Sequence, residues 1–205
     1  MIIDPAVTPP TDTYKLMVGA IVPRPIAFVS TVSPEGICNL APFSFFTGIS
    51  ANPPVICFSP MIRGRDGARK DTLRNIEHTR EFVVNIVSEE FVDKMNICST
   101  EFAPEVDEFE ASGLTPIPSD LVRPPRVSES HIQMECRLIQ IVDVSAKPLG
   151  GSIVLGEVVR FHVDDAMFDN FKIDPDKLCS VGRMGGPTYT RTTDRFDLER
   201  PKFPG

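Results

Sequence analysis

Proline sets the first limit on this chain. Twenty of its 205 residues are proline, roughly twice the usual share, and they fall in short clusters along the whole length. Proline lacks a backbone N–H and clashes with the preceding helical turn, so a helix interior tolerates few of them. The chain therefore has to be built from turns, extended segments and short helices, and an all-helical bundle is excluded. A length of 205 residues suits one buried core, and 41% hydrophobic with 24% charged residues is the make-up of a folded chain. We expect a single domain over 1–205, with 174–205 as a C-terminal arm.

Lysine and arginine number 21 against 28 aspartates and glutamates, a formal charge of -7. That balance argues against a nucleic-acid partner, because a phosphate backbone would be repelled. The five cysteines (Cys38, Cys57, Cys98, Cys136, Cys179) never form a C-x-x-C pair, so they read as reduced thiols of a cytoplasmic protein. The N-terminal stretch has no cationic start ahead of an apolar run, and is not expected to be a signal peptide. No segment approaches about 20 uninterrupted apolar residues, so no membrane span is expected.

Alternation of apolar and polar residues predicts strands over 26–33, 43–50, 55–59, 82–87, 132–138 and 153–163. The last two pair through the Lys147-Pro148-Leu149-Gly150-Gly151 turn. Leu73 and Ile76 lie three apart over 70–79, which predicts a short helix with Asp71 or Thr72 as its side-chain N-cap. A second helix follows Ser88, and 100–127, with five prolines, reads as an irregular excursion around one helical turn near 106–111. Helices do not follow every strand. The order therefore predicts a mainly β fold, a barrel or sandwich with a few short helices.

Motifs for a catalytic serine, a zinc protease, a phosphate loop or a dinucleotide fold are absent, so any redox chemistry would come from a bound cofactor. Two segments suggest a ligand. Arg63, Arg65, Arg69 and Lys70 gather just ahead of the 70–79 helix, where free N–H groups and positive potential already favour an anion. The alternative is a solvated loop whose charges pair with carboxylates. In Asn39-Leu40-Ala41-Pro42-Phe43-Ser44-Phe45-Phe46, proline fixes the backbone, Ala41 admits a planar ligand, and Asn39 and Ser44 offer hydrogen bonds. The alternative there is a strand edge leading into core aromatics. His131 and His162 fall on polar strand faces and read as surface imidazoles, while Glu157 on an apolar face suggests a dimer contact.

Taken together, PRPIAFVSTVSPEGICNLAPFSFF, RKDTLRNIEHTREFVVNI, EFEASGLTPIPS with PPRVSES and ECRL, IVLGEVVRFHV and VGRMGGPTY resemble the flavin reductase-like family of FMN-binding split β-barrel proteins, from about Pro23 to Tyr189. The resemblance implies a homodimeric Greek-key split barrel that holds FMN, or in some members FAD, near the subunit interface. By position, Ser30, Thr31, Asn39, Ala41, Pro42 and Ser44 correspond to contacts with the ring and ribityl chain. Ser59, Arg63, Lys70, Asp71 and Thr72 correspond to the phosphate side, and Arg183 with Gly185 and Gly186 to a tail motif over the flavin. It implies an NAD(P)H-dependent flavin (FMN) reductase: NADH or NADPH gives hydride to the flavin, which can supply a partner monooxygenase, and no catalytic side chain is required. Where shorter members carry Asp-His, this chain has Gly150-Gly151. The alternatives are a flavin-binding electron-transfer protein of the flavoredoxin kind, which does not use NAD(P)H, and a module for another phosphorylated planar ligand.

Overall fold

The computed structural model describes residues 1–63 and 66–203, so Arg65 of the basic cluster lies outside the described residues. In chain order the elements are α1 (Pro10–Ala20), β1 (Ala27–Val32), β2 (Cys38–Phe43), β3 (Phe46–Ala51), β4 (Pro54–Phe58), α2 (Asp71–Thr79), β5 (Glu81–Ile86), α3 (Val92–Ile97) and α4 (Glu108–Ser112). Two short strands, β6 (Pro116–Ile117) and β7 (Arg126–Val127), precede the long pair β8 (Ile132–Asp143) and β9 (Ser152–Val163). After them come β10 (Phe168–Asp169), β11 (Lys172–Ile173), α5 (Pro175–Leu178), β12 (Val181–Arg183) and β13 (Tyr189–Arg191). Among the described residues no helix is long and apolar enough to cross a membrane.

Seven strands form one antiparallel sheet in the order β2-β1-β5-β8-β9-β4-β3. Its two edges, β2 and β3, are consecutive in the chain and separated only by Ser44 and Phe45, so the sheet curls until they meet at a corner without pairing. The inner face packs Val29, Phe43, Phe58, Phe82, Val84, Cys136 and Val154, and α2 adds Leu73 and Ile76. Phe58 sits at the centre, its ring 5.1 Å from Phe43 and 5.5 Å from Phe82. Outside the sheet, Phe28, Leu40, Phe91, Met95, Phe109 and Val127 make a second core beneath α3 and α4. Strand β1 lies between the two cores, which is why all six of its residues are buried.

Several elements depart from the sequence expectation. The run over 43–50 is not one strand: Phe43 ends β2 and Phe46 opens β3, and β2 holds Pro42 because an edge strand can leave one side of its ladder unpaired. Helix α1 was not signalled by apolar periodicity, since Val18 is its single buried residue, although Pro10 stands in the first turn where proline is favoured. Helix α2 has Lys70 at its N-cap and no side-chain cap, so neither Asp71 nor Thr72 plays that part. Beyond Asp174 the chain forms α5 and the β12-β13 hairpin, in keeping with an arm with some regular structure, and pairs with the body through the backbones of Arg24 with Arg183 and of Ser88 with Ser180.

His131 and His162 are not free surface groups. His162 Nε2 lies 2.6 Å from Oε1 of Glu135, a fully buried carboxylate that also accepts the N–H groups of Asp120 (2.8 Å) and Leu121 (2.6 Å). The loop ahead of β7 covers this part of β8, which is why a charged residue sits inside. His131 lies 3.1 Å from Glu90 and 3.2 Å from Asp164.

Close approach makes glycine necessary at position 156. A Cβ built there would fall 2.3 Å from Cζ of the buried Phe82 ring. Gly156→Ala is expected to cost about 1–3 kcal/mol through overpacking. Urea unfolding of the purified variant beside the parent measures it.

Candidate functional site

Asn39 gathers the polar residues of the site. The register of β1 and β2 sets it opposite Thr31, and both are buried. Its side-chain oxygen accepts the hydroxyls of Thr72 at 2.7 Å and Thr31 at 3.2 Å. Its amide donates to Glu108 Oε1 at 2.8 Å, and the Leu40 N–H donates to Glu108 Oε2 at 3.1 Å. Asn75 of α2 donates to the Thr31 hydroxyl at 3.0 Å. One connected network thus ties β1, β2, α2 and α4 together, as a buried polar cluster requires.

Glu108 is 7% exposed. Burial pushes its carboxyl up to about 7, against the pull of the backbone and Asn39 donors that favour the ion. The residue opens the string EFEASGLTPIPS, but sequence reasoning assigned it no role. It falls in the proline-rich excursion, and its importance comes from contacts with Asn39 and Leu40, far away in sequence.

The basic cluster divides in two. Arg69 turns away, ion-paired with Glu77 and 2.8 Å from Asp143, as in a solvated loop of paired charges. Arg63 and Lys70 face a narrow cleft with Asn39, Ala41, Pro42, Asp71 and Thr72, about 100 Å³ in volume and walled on its far side by 98–102. Lys70 Nζ is 3.2 Å from Glu101. The Arg63 side chain is 10% exposed; Nη2 donates to the Arg69 carbonyl at 3.3 Å and stands 3.9 Å from Asp71. Its buried Nε has no hydrogen-bond partner among the described residues, the Asp66 carboxylate standing off at 3.8 Å. A buried donor left unpaired is costly. With the uncapped N-terminus of α2 beside it, the cleft suits an anion.

The remaining candidates lie elsewhere. The Ser30 hydroxyl is buried and donates to the Pro125 carbonyl, and Thr31 stands behind Asn39. Ser44 accepts from Arg24 Nε at 3.2 Å. Ser59 borders a different cleft, about 470 Å³, between α1 and the 144–151 loop, together with Phe45, Gly150 and Gly151. The Arg183 guanidinium stacks 4.4 Å from the Tyr189 ring and donates to the Gly186 carbonyl. Sequence reasoning also missed Arg24, buried at the β2-β3 corner and donating to the carbonyls of Val18 (2.5 Å), Ile21 (2.8 Å) and Met184 (2.8 Å).

An antiparallel barrel open along one edge pair defines the class as a mainly β split barrel. The chain belongs to the flavin reductase like domain family, whose defining pattern matches residues 18–181. It is similar to nitrilotriacetate monooxygenase component B from Bacillus cereus, with 36% identity, 97% and 98% of the two chains covered and a TM-score of 0.92. It is similar also to a Pseudomonas fluorescens 2-nitrobenzoate 2-nitroreductase, with 35% identity, 99% and 98% coverage and a TM-score of 0.89. A split barrel domain protein from Shewanella frigidimarina shares the fold at 23% identity, 98% and 100% coverage and a TM-score of 0.83.

The raised Glu108 value fixes a pH dependence. Between the carboxyl's unfolded value of 4.5 and about 7 the folded chain keeps a proton that the unfolded chain has lost. The group's contribution is therefore fully present below the unfolded value and is lost as pH rises through about 7. Denaturant titrations from pH 4.5 to 8 should show the parent losing about 1–3 kcal/mol relative to Glu108→Gln over that window.

Proposed function

We propose that the chain is an FMN-binding oxidoreductase that takes hydride from NADH or NADPH and hands the electrons to an acceptor, with a partner monooxygenase as one such acceptor. The observation that carries this reading is the orphaned Nε of Arg63, buried against a cleft that also holds Lys70 and the uncapped head of α2. That donor set matches a terminal phosphate: guanidinium, ammonium and free helix N–H groups converge on one small volume.

Bound FMN would supply the redox step, taking up hydride and passing electrons on. The chain's own work is to bind and orient. Arg63 and Lys70 would hold the phosphate, Lys70 leaving Glu101 to do so. Asp71 and Thr72, in the first turn of α2, place Thr72 where its hydroxyl fixes Asn39, and Ala41 and Pro42 offer the low edge of β2 to the cofactor. Ser30, Thr31, Ser44, Ser59 and Arg183 act from behind or beside the cleft, through the backbone and corner they hold. No side chain is assigned as a general acid or nucleophile.

We propose that this unit is one domain over 1–205, with 174–205 as its arm, working as a cytoplasmic homodimer. The exposed apolar residues Ile49, Ile139, Ile153 and Phe161 on β3, β8 and β9 support an association of this kind. A second reading, an electron-transfer protein that does not use NAD(P)H, draws on Gly150 and Gly151, which bring no imidazole to the cleft beside Ser59.

Purified protein loaded with FMN is expected to bleach under anaerobic conditions on adding NADH or NADPH, read in the visible spectrum. A flavin spectrum that persists with both selects the second reading, and failure to take up FMN rejects both. Lys70→Ala is expected to weaken FMN binding by roughly 1.5 to 3 kcal/mol, followed by quenching of flavin fluorescence.

A further inference from the structure

We infer that Glu108 serves the cleft at Arg63 and Lys70 as a neutral acid whose O–H donates to the bound anion, so that anion binding takes up a proton and weakens as pH rises. The inference rests on the phosphate placement proposed above. Two acidic side chains, Asp71 and Glu108, line both this cleft and the neighbouring one of about 430 Å³. Their surroundings differ. Asp71 is ion-paired with Arg74 and stands 3.9 Å from Arg63 Nη2, so its charge is balanced. Glu108 has no cation within ion-pair distance among the described residues; its oxygens accept from the Asn39 amide at 2.8 Å and the Leu40 N–H at 3.1 Å, both neutral donors. A carboxyl oxygen has two acceptor sites, so one donor at each leaves a place for the acid to carry its proton.

Burial, with a smaller push from the Asp71 charge, has already lifted this carboxyl to about 7. A phosphate monoester adds roughly -1.5 to -2 charge, and like charge beside a buried carboxyl disfavours its ion further because screening there is weak. Protonation removes the repulsion and supplies one more donor, as where a carboxylic acid is held neutral in order to donate. Linkage makes the effect reciprocal: an anion that draws in a proton is held more tightly when the proton is already there. Affinity is therefore highest below about 7, where the free protein keeps Glu108 protonated, and falls above it.

Other charged groups surround Glu108. Helix α2 brings Asp71, Arg74 and His78, the segment ahead of it Arg63 and Lys70, and the β1-β2 turn Glu35. The stretch leading into α4 adds Glu101, Glu105 and the N-cap Asp107, while on α3 Lys94 is taken by the Gly113 carbonyl and Glu129. Burial pushes the Cys38 and Cys98 thiols up, Cys98 to about 11, so both stay neutral here. His78 is the imidazole of this set and calls for a control.

The experiment adds sulfate to the full-length apoprotein at constant ionic strength. Sulfate keeps both its negative charges across this range, whereas phosphate titrates within it, so a pH dependence belongs to the protein. From about pH 6 to about pH 8, sulfate affinity measured by calorimetry should fall about five- to tenfold. At about pH 7.5, heats in two buffers of different ionisation enthalpy should show more than about half a proton taken up per sulfate bound. The difference infrared spectrum on adding sulfate should gain a protonated-carboxyl band, which an imidazole cannot produce. In Glu108→Gln the pH dependence should shrink below about twofold with sulfate still bound, and His78→Asn should keep the parent's slope. Level affinity in the parent, a slope that survives in Glu108→Gln or vanishes in His78→Asn, or proton uptake without the carboxyl band would each overturn the inference. If the Gln variant does not fold, uptake and the infrared band in the parent still decide it. Sulfate that does not bind, or that does not compete with FMN, would instead overturn the phosphate placement.

Discussion

The carboxamide of Asn39 is the smallest unit on which the rest of the site depends. Its oxygen takes two hydroxyls and its amide goes to a buried carboxylate, so one side chain fixes an edge strand, a central strand, the head of α2 and the short α4 relative to one another. An edge strand containing proline has few backbone bonds with which to hold its place. Side-chain bonds compensate here, and they do so beside the cleft where Arg63 and Lys70 converge. The same bonds that complete the barrel edge therefore also set the geometry of the cleft. Weakening one would disturb both.

Electrostatics at this cleft turn on Arg63. Lys70 faces Glu101, while Arg63 stands 3.8 Å and 3.9 Å from the Asp66 and Asp71 carboxylates and its Nε has no hydrogen-bond partner among the described residues. In a chain of net charge -7, a half-satisfied buried guanidinium is the local departure from the acidic background. A departure of that kind is where a ligand earns its binding energy.

Much of the architecture was legible because β5, β8 and β9 alternate cleanly and α2 carries its apolar pair at helical spacing. What was missed has physical causes. The reading of β8 stopped at Leu138, and the strand runs on to Asp143 because a register shift between Leu138 and Gln140 breaks the alternation. Strand β2 was hidden by Asn39 and Pro42, whose fitness for a strand rests on partners across the fold. Of the residues singled out by type, Asn39, Arg63 and Lys70 come together around one cleft. Ser30 does not join them, its hydroxyl turned to the Pro125 carbonyl because β1 is covered on both faces. Glu108 and Arg24 fall within strings that carry the family resemblance, but neither could be singled out there, since each matters through carbonyls, amides or N–H groups contributed by distant segments.

Arg24 carries one more implication. Its guanidinium holds carbonyls from α1, at the start of the chain, and from Met184, near the end, while its Nε reaches Ser44 at the corner between the sheet's two edges. The two terminal segments, which share no long ladder with the barrel, are thereby fastened to each other as well as to it. They behave as a single buckle rather than as two loose ends. Trimming either one strands buried donors of the same side chain, so damage at one end of the polypeptide is transmitted to the other through an atom group only a few ångströms wide.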